Sequence, residues 1–366
     1  MKSKTTSKSF KETGSVRVDL LGGTIDLYPI SLILSNVVTI NLATSLKVEV
    51  KLSACKHKSE DAVTLISKDY DHQLMLTKSL WNRSLFYEEE EGDRFGKLKF
   101  LVEIIKTFPF EKIKNCKIEV KSAIPAGTGL GGSSAMGATL YRALAKYCGK
   151  AIKSDSEIAK AVEVVKALES RILVAGPAGY QDYYPALYGG VLSLIPLPGS
   201  VKVVQAYSPK LKQFLEEHIT LVYSGISRNS GINNWEVYKS FFDKREESDK
   251  SASIRMRLQA IANCSYEGFN AIKEGRYHDL LLAIAEEGEL RKGAASGIVI
   301  KEMAELYSEL RTEFGSDKIL GMKVCGAGGG GCFLLLHERG VQKGLLETIK
   351  RHRMQRLDFK IALPLL

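Results

Sequence analysis

The segment Pro125-Ala-Gly-Thr-Gly-Leu-Gly-Gly-Ser-Ser-Ala135 constrains this chain more than any other, because it joins a strand-like stretch at 116–121 to a helix-period stretch at 132–147. Glycines in such a joint remove the side chains that would hold backbone N–H groups away from a ligand. The unpaired amides at a helix start and the macrodipole, roughly half a positive charge, then converge on one point, which suits a phosphate chain. Gly127, Gly129, Leu130, Gly131, Gly132, Ser133, Ser134 and Ala135 are the candidate phosphate-binding residues. Ser133 and Ser134 add hydroxyls that can bond phosphate oxygens or ligate Mg²⁺, a hard cation that prefers oxygen. No Gly-Lys-Ser/Thr closes the loop and it lacks the βαβ context of a dinucleotide fingerprint, so neither of those sites is expected.

Around this loop the hydrophobic periodicity predicts a mixed chain. Residues 1–13 read as a flexible leader. Val16, Val18 and Leu20 alternate with Arg17 and Asp19 to predict a strand from Ser15 to Leu21, and further strand-like stretches follow at 29–53, 63–67 and 72–77. The acidic run from Glu88 to Glu91 reads as a loop tip, and helix-period segments occupy 97–107 and 156–174. Strand character returns at 191–195, and the Pro-Leu-Pro-Gly at 196–199 marks a boundary between two domains, 14–198 and 199–366. Beyond it the pattern predicts a strand at 219–224, helices across 251–313, a strand, glycine loop and strand unit at 318–337, a helix at 341–353 and a final strand at 356–362. There is no internal repeat.

A length of 366 residues suffices for two lobes sharing a cleft. The six cysteines are scattered without metal or redox spacing, which predicts reduced thiols in a cytoplasmic protein. The basic start is not followed by the apolar core of a signal peptide, and no run is long enough for a membrane span. The net charge of +10 is dispersed, without an aromatic-studded basic tract, so an anionic small molecule fits it and a nucleic-acid partner is not expected. Oligomeric state stays open.

Three segments together carry a family resemblance. Pro125 with Gly129-Leu-Gly-Gly-Ser-Ser-Ala135 resembles the phosphate-binding signature of the GHMP kinases (galactokinase, homoserine kinase, mevalonate kinase, phosphomevalonate kinase), with Gly132 as one residue more than the usual Gly-Leu-Gly-Ser-Ser-Ala. Val16-Arg-Val-Asp-Leu-Leu-Gly-Gly-Thr-Ile-Asp26 is similar to the N-terminal strand and turn of the galactokinase-like enzymes, without the usual proline and without the Glu-His pair of true galactokinases. Lys323-Val-Cys-Gly-Ala-Gly-Gly-Gly-Gly-Cys-Phe333 resembles the glycine-rich C-terminal motif that packs beside the nucleotide loop.

The resemblance implies a two-lobed α+β fold with ATP and acceptor in the cleft, ATP and Mg²⁺ as cofactors, and a small sugar or sugar phosphate as partner. Gly176-Pro-Ala-Gly-Tyr-Gln-Asp182-Tyr, followed by Gly189-Gly190, is similar to the heptose-phosphate and fucose kinase branch. It implies Asp182 as catalytic carboxylate with Arg17 beside it, Ser133 and Glu169 as Mg²⁺ ligands, and Gly23, Asp26, Tyr183, Gly328 and Gly329 around the acceptor. Tyr223-Ser-Gly-Ile-Ser-Arg-Asn-Ser230 resembles the same branch and implies that Arg228 reads an anionic group, since its fork suits phosphate. The implied reaction is phosphorylation of a sugar at its anomeric hydroxyl. A mevalonate-type acceptor and a non-catalytic ATP and sugar sensor of the same fold are the alternatives.

Overall fold

The computed structural model describes residues 9–55, 60–82, 95–172, 178–227, 234–243, 249–294 and 297–365. Alternating apolar residues build a first sheet from β1 (Phe10–Leu21), β2 (Thr39–Ala54), β3 (Ala62–Ser67), β4 (His72–Thr77), β5 (Cys116–Ser122), β6 (Val191–Leu197) and β7 (Ser200–Gln205). Its order is β4-β3-β5-β2-β6-β7, with β1 paired antiparallel to β2. A second, four-stranded sheet runs β11-β8-β10-β9, from β8 (Ile219–Tyr223), β9 (Ile319–Val324), β10 (Cys332–His337) and β11 (Gln355–Arg356). Together with the helices between them these sheets make a mixed α and β architecture.

The Gly132–Tyr147 helix packs on β1 and β2 of the first sheet, and the Lys99–Lys106 and Asp155–Ile172 helices pack against it and each other, in one core with Val18, Leu42, Val50, Leu140 and Val165. Leu334 and Leu336 of β10 and Leu280, Leu281 and Ile284 of the Tyr277–Lys292 helix belong to the same core, so both sheets share one apolar interior. A smaller cluster under β9 and β10 takes in the Lys301–Phe314 helix through Met303, Leu306 and Leu310. Among the described residues no helix is long and apolar enough to cross a membrane.

Several expectations need correction. The strand expected from Ser15 already begins at Phe10, opposite Leu52, so residues 10–13 are sheet rather than leader, while residues 1–8 and the acidic run at 88–91 lie outside the described residues. Pro198 and Gly199 make the turn of the β6–β7 hairpin, with Pro196 opposite Val201 and Leu197 opposite Ser200, so a boundary at 198/199 falls inside the first sheet. The stretch 29–53 opens with a short helix, Ile30–Ile33, before β2. The long helical region divides into Asp249–Glu274, Tyr277–Lys292 and Lys301–Phe314, with Gly275 in the left-handed region at the first break. The final strand shortens to β11, after which the chain crosses to the first sheet, where Ile361 bridges Thr44.

Candidate functional site

Alternation along β1 puts Val16, Val18 and Leu20 into the core and turns Arg17 and Asp19 to the opposite, equally buried face. Arg17 is 2% exposed. Its Nε donates to Asp182 Oδ1 at 2.8 Å, its Nη2 lies 2.7 Å from the same oxygen, and its Nη1 donates to the Gly129 carbonyl at 2.5 Å. One guanidinium thus ties the carboxylate to the glycine loop. Burial works against its charge, but Asp182 and then Asp19 outweigh that and raise its pKa above the ordinary value.

The loop leaves β5, and Gly131 in left-handed backbone opens the Gly132–Tyr147 helix. Gly129 and Gly331 show why glycine is needed here: both have positive φ, and a Cβ would sit 2.7 Å from the Cys325 carbonyl oxygen in the first case and 2.7 Å from the Thr128 carbonyl oxygen in the second. The third motif therefore packs backbone to backbone on the first, sealed by the Cys332 N–H donating to the Thr128 carbonyl at 2.7 Å.

Gly127, Gly129, Gly132 and Ser133 line a cavity of about 600 Å³ that continues past Ile124, Met136, Phe100 and Tyr70. Lys97 lies over the Tyr70 ring, 5.1 Å from its centroid. A polar, glycine-lined mouth with an apolar interior is the shape that accepts a phosphate chain bearing a flat heterocycle. Leu130 and Ala135 lie in the core at 0% exposure and contribute backbone only; the Leu130 carbonyl accepts the Arg17 N–H at 3.1 Å.

Ser133 is exposed at the cavity, whereas the buried Ser134 donates its hydroxyl to Glu169 Oε2 at 2.7 Å. Glu169 is 4% exposed, so it is a buried carboxylate and not a solvated helix residue. Burial raises its pKa against the opposing bonds from Tyr183, Ser134 and Ser133. Tyr183 is turned away from any acceptor: it is 0% exposed and its hydroxyl donates to Glu169 Oε2 at 2.7 Å. The carboxylate and hydroxyl oxygens at this point are the hard donor set that suits Mg²⁺. Among the described residues no group of three or more His, Cys, Asp or Glu could hold a metal ion.

Asp26 ends the turn after β1, is 4% exposed, and accepts the Gln181 N–H at 3.2 Å. Burial, reinforced by the Asp182 charge, pushes its carboxyl up to about 7. Because the shift is upward, its contribution to stability is complete below the ordinary 3.8 and is lost as the pH rises through about 7. Asp26→Asn lacks that loss, so its Tm is expected to gain on wild type between about pH 4 and pH 8. Thermal melts across this range check it; a constant Tm difference would mean that Asp26 titrates like an ordinary carboxyl.

Gly23 packs against the Asp19 and Arg291 side chains, a Cβ on Gly328 would meet Ile298, and the Gly329 N–H donates to the Ile298 carbonyl at 2.9 Å. Arg228 lies outside the described residues.

The sequence model of the GHMP kinases N terminal domain matches residues 98–190, and that of the GHMP kinases C terminal matches residues 269–352, on the same chain and in this order. The chain belongs to the GHMP kinases. It is 25% identical over 353 residues to the bifunctional fucokinase/GDP-fucose pyrophosphorylase of Arabidopsis thaliana, which covers 92% of this chain but 31% of that protein, so the chain spans about a third of that relative's length. It is also 25% identical over 248 residues to the mevalonate kinase of Methanothermobacter thermautotrophicus, covering 67% of this chain and 72% of that protein. In fold this GHMP kinase is similar to a crystal structure of a D-glycero-D-manno-heptose 1-phosphate kinase from Bacteriodes thetaiotaomicron, with a TM-score of 0.68 and 15% identity over 98% of this chain and 97% of that one.

Two features escaped the sequence reading. The burial of Glu169 has a signal: it continues the apolar spacing Ile158, Val162, Val165 of its helix. The cavity wall from Tyr70 to Met136 has none, because it assembles from four separate elements.

Proposed function

We propose that this chain transfers the γ-phosphoryl group of ATP to a hydroxyl of a sugar or sugar phosphate, the anomeric one. The observation that carries this reading is the single Arg17 guanidinium that grips Asp182 and the Gly129 carbonyl together. Phosphoryl transfer asks for an acceptor oxygen held in line with the phosphate and for somewhere for its proton to go. Asp182, oriented by Arg17, takes the hydroxyl proton as the oxygen bonds to phosphorus and ADP leaves; Asp26 grips a neighbouring hydroxyl. The intact ion pair favours a catalyst over a sensor.

Mg²⁺, when bound, neutralises charge on the phosphates. Glu169, Ser133 and Ser134 would hold it. Glu169→Gln and Ser133→Ala are each expected to raise the Mg²⁺ concentration for half-maximal rate by roughly 10-fold or more. Initial rates against Mg²⁺ at fixed ATP check this; an unchanged requirement in Glu169→Gln would leave that carboxylate only as an acceptor for Tyr183 and Ser134.

The fucokinase relative and the heptose kinase fold support a sugar acceptor. Arg228 would read an anionic group on it, and the net charge of +10 favours an anionic acceptor. The similarity to a mevalonate kinase puts mevalonate among the candidates. A coupled ADP-release assay over neutral sugars, sugar phosphates and mevalonate tests the reading. Turnover of a sugar or sugar phosphate above the acceptor-free rate is expected; turnover of mevalonate alone would reassign the acceptor.

A further inference from the structure

The Gly22–Asp26 turn is held from the other half of the chain. Glu287 and Arg291 lie four residues apart on the Tyr277–Lys292 helix and so share one face, at 0% and 2% exposure. Glu287 Oε2 accepts the Gly22 N–H at 2.6 Å. Arg291 Nη1 donates to Asp19 Oδ2 at 2.9 Å, and its Nη2 donates to Thr24 Oγ1 at 3.2 Å and to the Gly326 carbonyl. Lys323 of β9 completes the set, with Nζ 3.2 Å from Asp19 Oδ2 and 3.3 Å from Glu287 Oε1.

Two acids and two bases are thus shut away from water. Their desolvation offsets much of their mutual attraction, so stability alone is a poor reason for such a set. Its geometry offers a better one. Thr24 has a φ of 75°, a costly conformation for a β-branched residue, and its hydroxyl is the one Arg291 holds. Gly23 leaves no space for a Cβ between the Asp19 carboxylate and the Arg291 guanidinium. The turn is therefore moulded on these side chains, and two residues beyond Thr24 it delivers Asp26.

We propose that Arg291 and Glu287 are positioning residues for the acceptor: through Thr24, Gly22 and Asp19 they fix the turn that carries Asp26, and through Gly326 Arg291 fixes it against the third glycine motif. This deepens the acceptor-site reading above and rests on it. Among the described residues, Arg291 and Glu287 bond directly to the turn and reach the 127–133 loop only through the third glycine motif at Gly326, so the larger effect is expected on the acceptor.

Three variants of the full chain test the proposal. Thr24→Val removes the hydroxyl at constant shape, Thr24→Ser keeps it, and Arg291→Lys keeps the charge but loses the fork. The KM for the best acceptor is expected to rise about 10-fold or more in Thr24→Val and Arg291→Lys, to stay near wild type in Thr24→Ser, and the Kd of a non-hydrolysable ATP analogue to change by less than about twofold in all three. Amide exchange of the peptide around residues 20–27 should quicken in the first two variants and not in Thr24→Ser, while that of 127–135 stays unchanged.

An unchanged acceptor KM in Thr24→Val, or equal losses of acceptor and nucleotide affinity, would overturn the proposal. If Arg291→Lys does not fold, the Thr24 pair decides. Wild type turning over no acceptor would sink the kinase reading instead, and the exchange arm would still decide whether these side chains hold the turn.

Discussion

Asp182→Asn is expected to lower kcat by about 10²–10⁴ while leaving nucleotide affinity within about twofold. The amide matches the carboxylate in shape, and its Oδ1 can still accept from Arg17, which makes both its contacts to that oxygen. What the amide cannot do is take up the acceptor's proton. The loss therefore belongs to kcat, and the Kd for an ATP analogue, measured by titration, should stay put. An Asp182→Asn enzyme turning over its acceptor at near the wild-type rate would remove the carboxylate from the chemistry.

Arg17→Met is expected to be at least as damaging, with kcat down on the order of 10³-fold, because it removes a fixed positive charge and the link between carboxylate and loop together. It should also lower stability by roughly 1–3 kcal/mol, since Asp182 loses its partner while Asp19 keeps Arg291 and Lys323. Arg17→Lys separates the two effects. A lysine restores the charge but cannot reach Asp182 and the Gly129 carbonyl with one planar fork, so stability should recover more than kcat does. Denaturant titrations beside steady-state rates read both. Full recovery of kcat in Arg17→Lys would reduce the role of Arg17 to charge alone.

The parts of this site that can be read from sequence are those whose geometry is local. A glycine loop between a strand and a helix, a basic residue alternating on a strand, and an aspartate in a short tyrosine-rich signature each carry their own context, and the fold brings Arg17 against Asp182 across 165 positions. Pairing partners are different. The Pro-Leu-Pro-Gly at 196–199 has the composition of a linker and of a hairpin turn alike, and only the pairing of β6 with β7 decides.

The four-charge cluster was invisible for a related reason. Asp19, Glu287, Arg291 and Lys323 lie on three elements, and the Tyr277–Lys292 helix looks like an ordinary charged surface helix until Glu287 and Arg291 are seen to continue the apolar spacing of Leu280 and Ile284. Tyr183 misled in the opposite direction. It stands beside Asp182 in the signature but points to Glu169.

The most direct test of the account is the phosphorus NMR spectrum of the product formed from ATP, Mg²⁺ and the best acceptor of the panel. A phosphate resonance split by the anomeric proton, growing in step with ADP, is the predicted result. ADP appearing with inorganic phosphate alone, or with phosphate on a primary hydroxyl of the sugar, would contradict transfer to the anomeric oxygen held by Asp182.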